Sequence, residues 1–398
     1  MTTKQNFEWP IITKDTKQAV VNQLGKSISI YDRSGIIEEF ENKFAKYHNN
    51  SRYALLTNSG TNALLSIYIG AQLREGDEVI CPVYTFFATV TPIFFTGAVP
   101  IFCDIDEYGN IDPEDIERKI TSKTKAIMVT HMWGNPCKMD EISIIAKKYD
   151  LLLFEDCSHA HGSLYKNKVV GTFGDVAAWS LQGPKTISGG EGGILVTNNE
   201  EIYYRALLLG HYNKRCKQEI PTQHILSKYS TTGMGLKLRS HPLAVAIANQ
   251  QFSNLEKILV NRRKNAKILI DNINSIQGLK VIADLSKCNP NWYAMIILFD
   301  ADNFLVSRES FVKELINKGC TYVDIPNSTS PLNLLPLFQE PELLFPSYKG
   351  KIYYTADDFP RAVAFYKKII KIPIFTDNGR IARRFSKVLK NISEKFAR

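Results

Sequence analysis

Apolar and polar residues alternate along this chain in short blocks, and their spacing predicts strands and helices in turn. Ile37, Phe40, Phe44 and Tyr47 recur at helical spacing within 36–47. The run 53–57 (YALLT) reads as a buried strand, and Asn58-Ser59-Gly60-Thr61-Asn62 leads from it into an apolar helix reaching Leu73. Further strand-like runs lie at 78–81, 99–103, 126–130, 151–154 and 176–181, with a helix-like run at 87–95 and an amphipathic segment at 113–120 among them. Strand and helix taking turns at this rhythm predict a mostly parallel sheet covered on both faces. A single long helix is expected from His241 to Asn272, and beyond it strand-like runs at 292–298 and 322–325 flank a helix over 308–317. The first 35 residues lack strong periodicity and read as an arm that packs on a neighbour. The expected architecture is α/β in two domains: 1–254, a large domain carrying the N-terminal arm, and 255–398, a smaller α+β domain. A chain of 398 residues suits two such cores.

The stretch 151–193 concentrates the candidate chemistry. An apolar run ends in Glu155-Asp156, which places Asp156 at the carboxyl end of a strand, where open α/β sheets bind ligands. A second run, Val176 to Leu181, leads to Lys185, the only lysine between Lys168 and Lys214, and then to Gly189-Gly190-Glu191-Gly192-Gly193. An acid and a lysine placed this way can hold a pyridinium nitrogen and form a Schiff base with an aldehyde, which is the layout of a pyridoxal phosphate (PLP) enzyme. A lysine that attacks a carbonyl must be partly unprotonated, so burial or neighbouring positive charge is required of its surroundings. The strand–turn–helix at 53–73 points free backbone N–H groups outward, as a phosphate site does, although Ser and Asn also cap helices routinely.

Composition narrows the classes. Apolar residues make up 44% and charged residues 22%, an ordinary globular balance. The formal net charge is +9, but the lysines are scattered and no basic motif interleaved with aromatics is present. Anionic small substrates are therefore expected, not nucleic acid. Seven cysteines without a CxxC pair read as free thiols in a reducing cytoplasm. MTTKQNFEWP lacks the apolar core of a signal peptide, and 90–102 is too short and too rich in Pro and Gly to span a bilayer, so no membrane role is expected. His131 and Trp133, in VTHMWG, lack partners at metal-ligand spacing, and no metal is expected.

Taken together, the motifs resemble the DegT/DnrJ/EryC1/StrS family of PLP-dependent sugar aminotransferases, enzymes of fold type I. They are Glu155-Asp156-Cys157-Ser158-His159-Ala160-His161-Gly162, then Gly174-Asp175, Ser180, Lys185 and Gly190-Glu191-Gly192-Gly193. Leu181-Gln182-Gly183-Pro184 and Gly235-Leu236-Lys237-Leu238-Arg239 look nearest to the inosose and aminohydroxybenzoate branch. The resemblance covers nearly the whole chain and is most specific over 55–240.

The resemblance implies a set of roles. Lys185 carries the cofactor as a Schiff base and then moves the proton, and Asp156 holds the ring nitrogen. Gly60, Thr61 and Ser180 bind the cofactor phosphate, and Phe86 stacks on the pyridine ring. His159 stands where the family commonly has Gln, beside that ring. Lys237 replaces an Asn that reaches the cofactor phosphate of a partner subunit. A homodimer with shared active sites follows, taking an amino group from glutamate or glutamine to the ketone of a sugar, a cyclitol or a small phosphorylated hydroxyketone. Surface polysaccharide or secondary-metabolite synthesis is the expected setting. Two other readings are a PLP-dependent sugar dehydratase, whose members replace the lysine with His, and a non-catalytic PLP-binding regulator.

Overall fold

The computed structural model describes residues 9–398. They group into two compact units, 9–72 with 175–255 and 73–174 with 256–398. The chain thus enters and leaves each unit.

In the first unit, strands Tyr53–Thr57, Gly193–Thr197 and Val176–Ser180 pair antiparallel in that order. Helix Gly35–Tyr47 buries Ile37, Phe40 and Phe44, the stripe read from the sequence. Phe44 meets Trp179 edge-on at 5.0 Å and Phe252 at 5.2 Å, which fixes helix to strand at the centre of this core. On the same helix Glu41, fully buried, takes both guanidinium arms of Arg215 at 3.0 and 2.8 Å and the Leu56 N–H at 2.9 Å. A buried charge of this kind persists only when paired and hydrogen-bonded throughout. The N-terminal region is not without structure: Lys14–Leu24 is a helix, capped by Thr13 and packed on helix Pro242–Phe252 of its own chain. Its spacing escapes a periodicity search because only Thr16 and Gln23 are buried.

In the second unit, strands Leu152–Asp156, Thr124–Thr130, Glu78–Pro82 and Val99–Cys103 lie side by side and parallel. Their near-continuous burial, without alternation, is the mark of a sheet covered on both faces. The helix-like run 87–95 is corrected to two 3₁₀ turns, Phe87–Thr89 and Thr91–Thr96, because Pro92 removes a backbone donor where an α-helix would need it. Beyond residue 255, strands Leu279–Val281, Ala294–Phe299 and Ile369–Pro373 form an antiparallel sheet, with helices Arg308–Asn317 and Pro360–Lys368 between the last two strands and helix Arg380–Phe396 after them.

Two further expectations are corrected. The single helix from 241 to 272 is two, Pro242–Phe252 and Leu255–Ile273, interrupted at Ser253-Asn254. The run 322–325 forms no regular strand. Tyr322 adopts a left-handed φ of 66°, which turns the chain, and only Asp324 bridges to Lys371. All seven cysteines are free and buried, and burial pushes the thiols of Cys81, Cys137 and Cys157 well up. Among the described residues no helix is long and apolar enough to cross a membrane.

Candidate active site

The candidate residues fall into two clusters, one in each unit. In the first, Thr57 ends its strand, Ser59 caps the helix Gly60–Gly70 by accepting from the Asn62 N–H at 3.1 Å, and Gly60 is the first helical residue. A Cβ on Gly60 would stand 2.7 Å from Ser180 Cβ and 2.9 Å from Ser180 Cα. Only glycine lets the helix start come this close to Ser180, whose hydroxyl thereby joins the free N–H groups of the helix N-terminus. Thr61 follows on the exposed side of that turn. Strand Gly193–Thr197 meets the same turn just as closely, since a Cβ on Gly193 would lie 2.3 Å from the Ser59 carbonyl.

Lys185 sits in the loop after Ser180 and is 8% exposed. That loop is closed by its own backbone: Leu181 N–H donates to Gly192 O at 2.8 Å, Gly189 N–H to Leu181 O at 2.8 Å and Lys185 N–H to Gln182 O at 3.0 Å. Gly189 passes so near helix Pro242–Phe252 that a Cβ would come within 2.6 Å of Ala244 O. The Trp9 indole N–H donates to Lys185 O at 2.8 Å, so the N-terminal segment also holds the lysine's backbone.

Lys237 is exposed, its ammonium 5.6 Å from the Tyr212 ring. Its backbone reaches the same turn as Gly60: Asn58 N–H donates to Leu238 O at 2.7 Å and Asn58 Nδ2 to Lys237 O at 3.4 Å.

In the second unit, Asp156 ends its strand 4% exposed. Thr89 Oγ1 donates to Asp156 Oδ2 at 2.7 Å, and the Ser158 N–H donates to Oδ1 at 3.0 Å. Among the described residues no Lys or Arg pairs with this carboxylate. Thr85 backs Thr89 at 2.9 Å and reaches Thr130 at 3.1 Å, so a file of hydroxyls stands behind the acid. His159 is buried, with its ring stacked 4.2 Å from Tyr293. Phe86, half-buried, lies against Phe87 at 4.2 Å.

The adjacent Glu155 differs from Asp156. One oxygen accepts from Phe173 N–H at 2.8 Å and Gly174 N–H at 2.7 Å, the other from Gly171 N–H at 2.7 Å and His131 Nε2 at 3.1 Å. Burial alone raises such a carboxyl, but the His131 contact and the backbone donors outweigh it and hold Glu155 below its ordinary 4.5. His131, Glu155 and Cys157 lie close enough together for a metal to bridge them. However, Cys137 N–H donates to His131 Nδ1 at 3.1 Å, which leaves Nε2 as the donor to Glu155 and closes the group with hydrogen bonds.

Sequence reading missed Thr89 and Tyr293. The only signal for Thr89 is a hydroxyl within an otherwise apolar run, and Tyr293 belongs to a distant strand edge that no motif marks.

These clusters fit PLP. One offers a helix N-terminus, a hydroxyl and a buried lysine; the other offers a buried carboxylate with which, among the described residues, no Lys or Arg pairs. In known structures the aminotransferase from Psychrobacter cryohalolentis superposes with a TM-score of 0.86 at 26% identity, covering 97% of this chain and 98% of that one. The chain is a PLP-dependent transaminase of fold type I. A model of the DegT/DnrJ/EryC1/StrS aminotransferase family matches residues 10–380, and the chain belongs to that family. It is 36% identical over 333 residues to the GDP-perosamine synthase of Escherichia coli O157:H7, covering 83% of this chain and 86% of that protein. It is 29% identical over 314 residues to a putative L-glutamine:3-amino-2,3-dideoxy-scyllo-inosose aminotransferase of Micromonospora echinospora, covering 78% and 70%.

Proposed function

We propose that this transaminase moves an amino group from glutamate or glutamine to the keto carbon of a nucleotide-linked sugar. PLP, when bound, supplies the carbonyl that takes up the amino group and a ring that draws off electrons. In this reading the Ser180 hydroxyl and the N–H groups of Gly60 and Thr61 bind the cofactor phosphate. Asp156 holds a proton on the ring nitrogen by opposing its charge. Phe86 packs on the ring face, and His159 hydrogen-bonds at the ring edge. Lys185 would hold the cofactor through its amine and, when that amine is free, act as the general base and acid that moves a proton in each half-reaction. Every residue assigned to the cofactor precedes 255, which supports the division into a cofactor-binding part, 1–254, and a smaller part, 255–398.

The observation that carries this reading is the buried Asp156 carboxylate with hydroxyl and N–H donors but, among the described residues, no paired Lys or Arg. A charge so placed is expensive unless a bound cation completes it. The 36% identity to GDP-perosamine synthase supports the nucleotide-linked acceptor, as does 32% identity over 350 residues to the dTDP-3-amino-3,6-dideoxy-alpha-D-galactopyranose transaminase of Aneurinibacillus thermoaerophilus. A cyclitol ketone is the second reading, favoured by Leu181-Gln182-Gly183-Pro184 and by the inosose relative. A dehydratase relative is 32% identical over 322 residues, but Lys185 favours amino transfer.

The chain is further proposed to work as a cytoplasmic homodimer. Tyr212, Tyr229, Met234 and Leu236 are 36–49% exposed within one short segment, apolar surface that a second copy would cover. Lys237, in that same segment, would then reach the partner's cofactor phosphate.

The test begins with the visible absorption of the protein mixed with PLP. Glutamate or glutamine should bleach the band, and a panel of nucleotide-linked keto sugars, inososes and phosphorylated hydroxyketones should show which acceptor restores it. A band that no amino donor changes would put the regulator or dehydratase reading ahead.

A further inference from the structure

His159 is held more firmly than a residue making one hydrogen bond requires. Its imidazole stacks on Tyr293 with the planes 7° apart, and the Trp133 ring lies 5.5 Å away at 22°. The Trp133 and Tyr293 rings are 6.3 Å from each other, so Tyr293 covers a face of the imidazole and Trp133 adjoins its edge, and both are built on strained backbone. Trp133 has φ 57° and ψ 12°, and Trp292, next to Tyr293, has φ 55°, left-handed values that bulky residues rarely adopt. Gly134 follows at φ 87°, where a Cβ would collide with Asn291 Oδ1 at 2.0 Å and with the His159 carbonyl at 3.0 Å.

Asn291 ties the two sides together. Its Oδ1 accepts from Tyr293 N–H at 2.9 Å, and its Nδ2 donates to His161 O at 3.1 Å. Its own N–H donates to Ser163 Oγ at 3.0 Å, and that hydroxyl donates to Gly134 O at 2.7 Å. The backbone before the stack, the backbone after His159 and the Tyr293 strand edge are thus one hydrogen-bonded frame.

The frame also sets the tautomer. Trp133 N–H donates to His159 Nδ1 at 3.4 Å. Two N–H groups cannot face one another, so Nδ1 carries a lone pair and the ring proton of the neutral imidazole is on Nε2. Burial pushes the Tyr293 phenol up to about 12, so its ring stays neutral as well.

We propose that Trp133 and Tyr293 form a clamp that fixes His159 as a neutral Nε2–H donor toward the cofactor ring, with Tyr293 a positioning residue acting through His159. Locked in this way, the imidazole offers one N–H at a fixed angle, as a glutamine amide would, and adds no charge beside the ring. That His159 faces bound PLP rests on the reading above, whereas the tautomer and the clamp do not.

Two-bond ¹H–¹⁵N spectra of the cofactor-free protein, labelled at histidine and recorded at neutral pH, test the clamp directly. Among the seven histidines, the one lost in His159→Gln should show a protonated Nε2 and an unprotonated Nδ1. Tyr293→Phe should keep that pattern, and Tyr293→Leu should average the two tautomers. An imidazolium, a protonated Nδ1, or a pattern unmoved in Tyr293→Leu overturns the clamp. The wild-type spectrum decides the tautomer even if Tyr293→Leu does not fold. For the aim at the cofactor, His159→Gln should hold PLP as wild type does, and His159→Ala roughly tenfold more weakly. Equal binding by His159→Ala, while Lys185→Ala loses the visible band, overturns that aim and leaves the transaminase reading standing.

Discussion

The cluster around Lys185 and the cluster around Asp156 are built by opposite means. The first is made of backbone: Gly60, Gly189 and Gly193 each pass within 2.7 Å of another segment at the point where a Cβ would stand. The second is made of side chains, with Thr89 on Asp156, rings on His159 and Asn291 framing both flanks of the stack. Backbone approach fixes position through shape, and one added carbon destroys it. Side-chain networks fix charge and proton placement, and an isosteric change is enough to disturb them. The two regions should therefore fail differently when altered.

The largest effect is expected at the centre of the backbone-built region. Lys185→Ala should lower amino transfer by ~10⁴-fold, the upper end of what a positioned acid–base group supplies. Thermal unfolding without cofactor should leave the fold intact, because the loop is closed by its own backbone N–H and C=O groups. Single-turnover kinetics with glutamate and a melting curve on the same sample check both halves. A large loss of stability would mean that Lys185 is a structural residue of that loop.

Glu155 and Asp156 sharpen the contrast from the side-chain region, since two neighbouring buried acids should respond in opposite ways. Glu155→Gln takes the charge from an oxygen pair that accepts three backbone N–H groups and His131, and should cost about 3 kcal/mol of stability. Asp156→Asn should cost under ~1 kcal/mol while removing amino transfer by ~10²-fold or more. The pH dependence follows from the lowered Glu155 value. A carboxyl depressed in the folded state stabilises fully above its ordinary 4.5 and loses that contribution as pH falls through the lowered value. The stability gap between wild type and Glu155→Gln should therefore be constant at neutral pH and close in acid. Denaturant unfolding at several pH values checks the sign.

The same contrast explains what was legible in the sequence. The backbone-built region left its signature in residue types, because only glycine fits at 60, 189 and 193 and because Lys185 stands alone in an apolar stretch. Asp156 was legible for a similar reason, as an acid ending a buried run. Thr89 and Tyr293 were not, since a threonine in 87–95 and a tyrosine at the edge of 292–298 gain meaning only when tertiary packing brings them to Asp156 and His159. Local pattern also overreached where one residue overrides periodicity, at Pro92 in the 3₁₀ turns and at Tyr322, whose left-handed backbone ends a strand-like run.

Gly60→Ala should have a smaller effect that falls on one region alone. The added methyl meets Ser180 Cβ and Cα, atoms of a strand that cannot swing aside, and overpacking of this kind costs about 1–3 kcal/mol. Gly190→Ala gives the control: a Cβ there meets nothing within 4 Å, and only its φ of 87° resists substitution. PLP retention should fall clearly in Gly60→Ala and remain in Gly190→Ala, as equilibrium dialysis would show. Equal retention in the two would mean that the close approach at Ser180 serves packing and not the phosphate.

Lys237 should show the smallest effect on the fold and offers the finest test of how far the comparison extends. The side chain is exposed and its ammonium lies over the Tyr212 ring, a contact worth ~0.5–1 kcal/mol at such a site, so Lys237→Ala should unfold within about that margin of wild type. If the ammonium serves the phosphate of a partner's cofactor, PLP affinity should nonetheless drop roughly tenfold, the value of one charge-assisted hydrogen bond. Lys237→Asn should restore part of it, because a neutral amide donates to the same oxygens without the charge. The loss should also appear only above the concentration at which the protein is dimeric. Affinity lost equally in monomer and dimer would place Lys237 with the cluster of its own chain, where its backbone already meets Asn58, and the backbone-built region would then supply its anion site without a second copy.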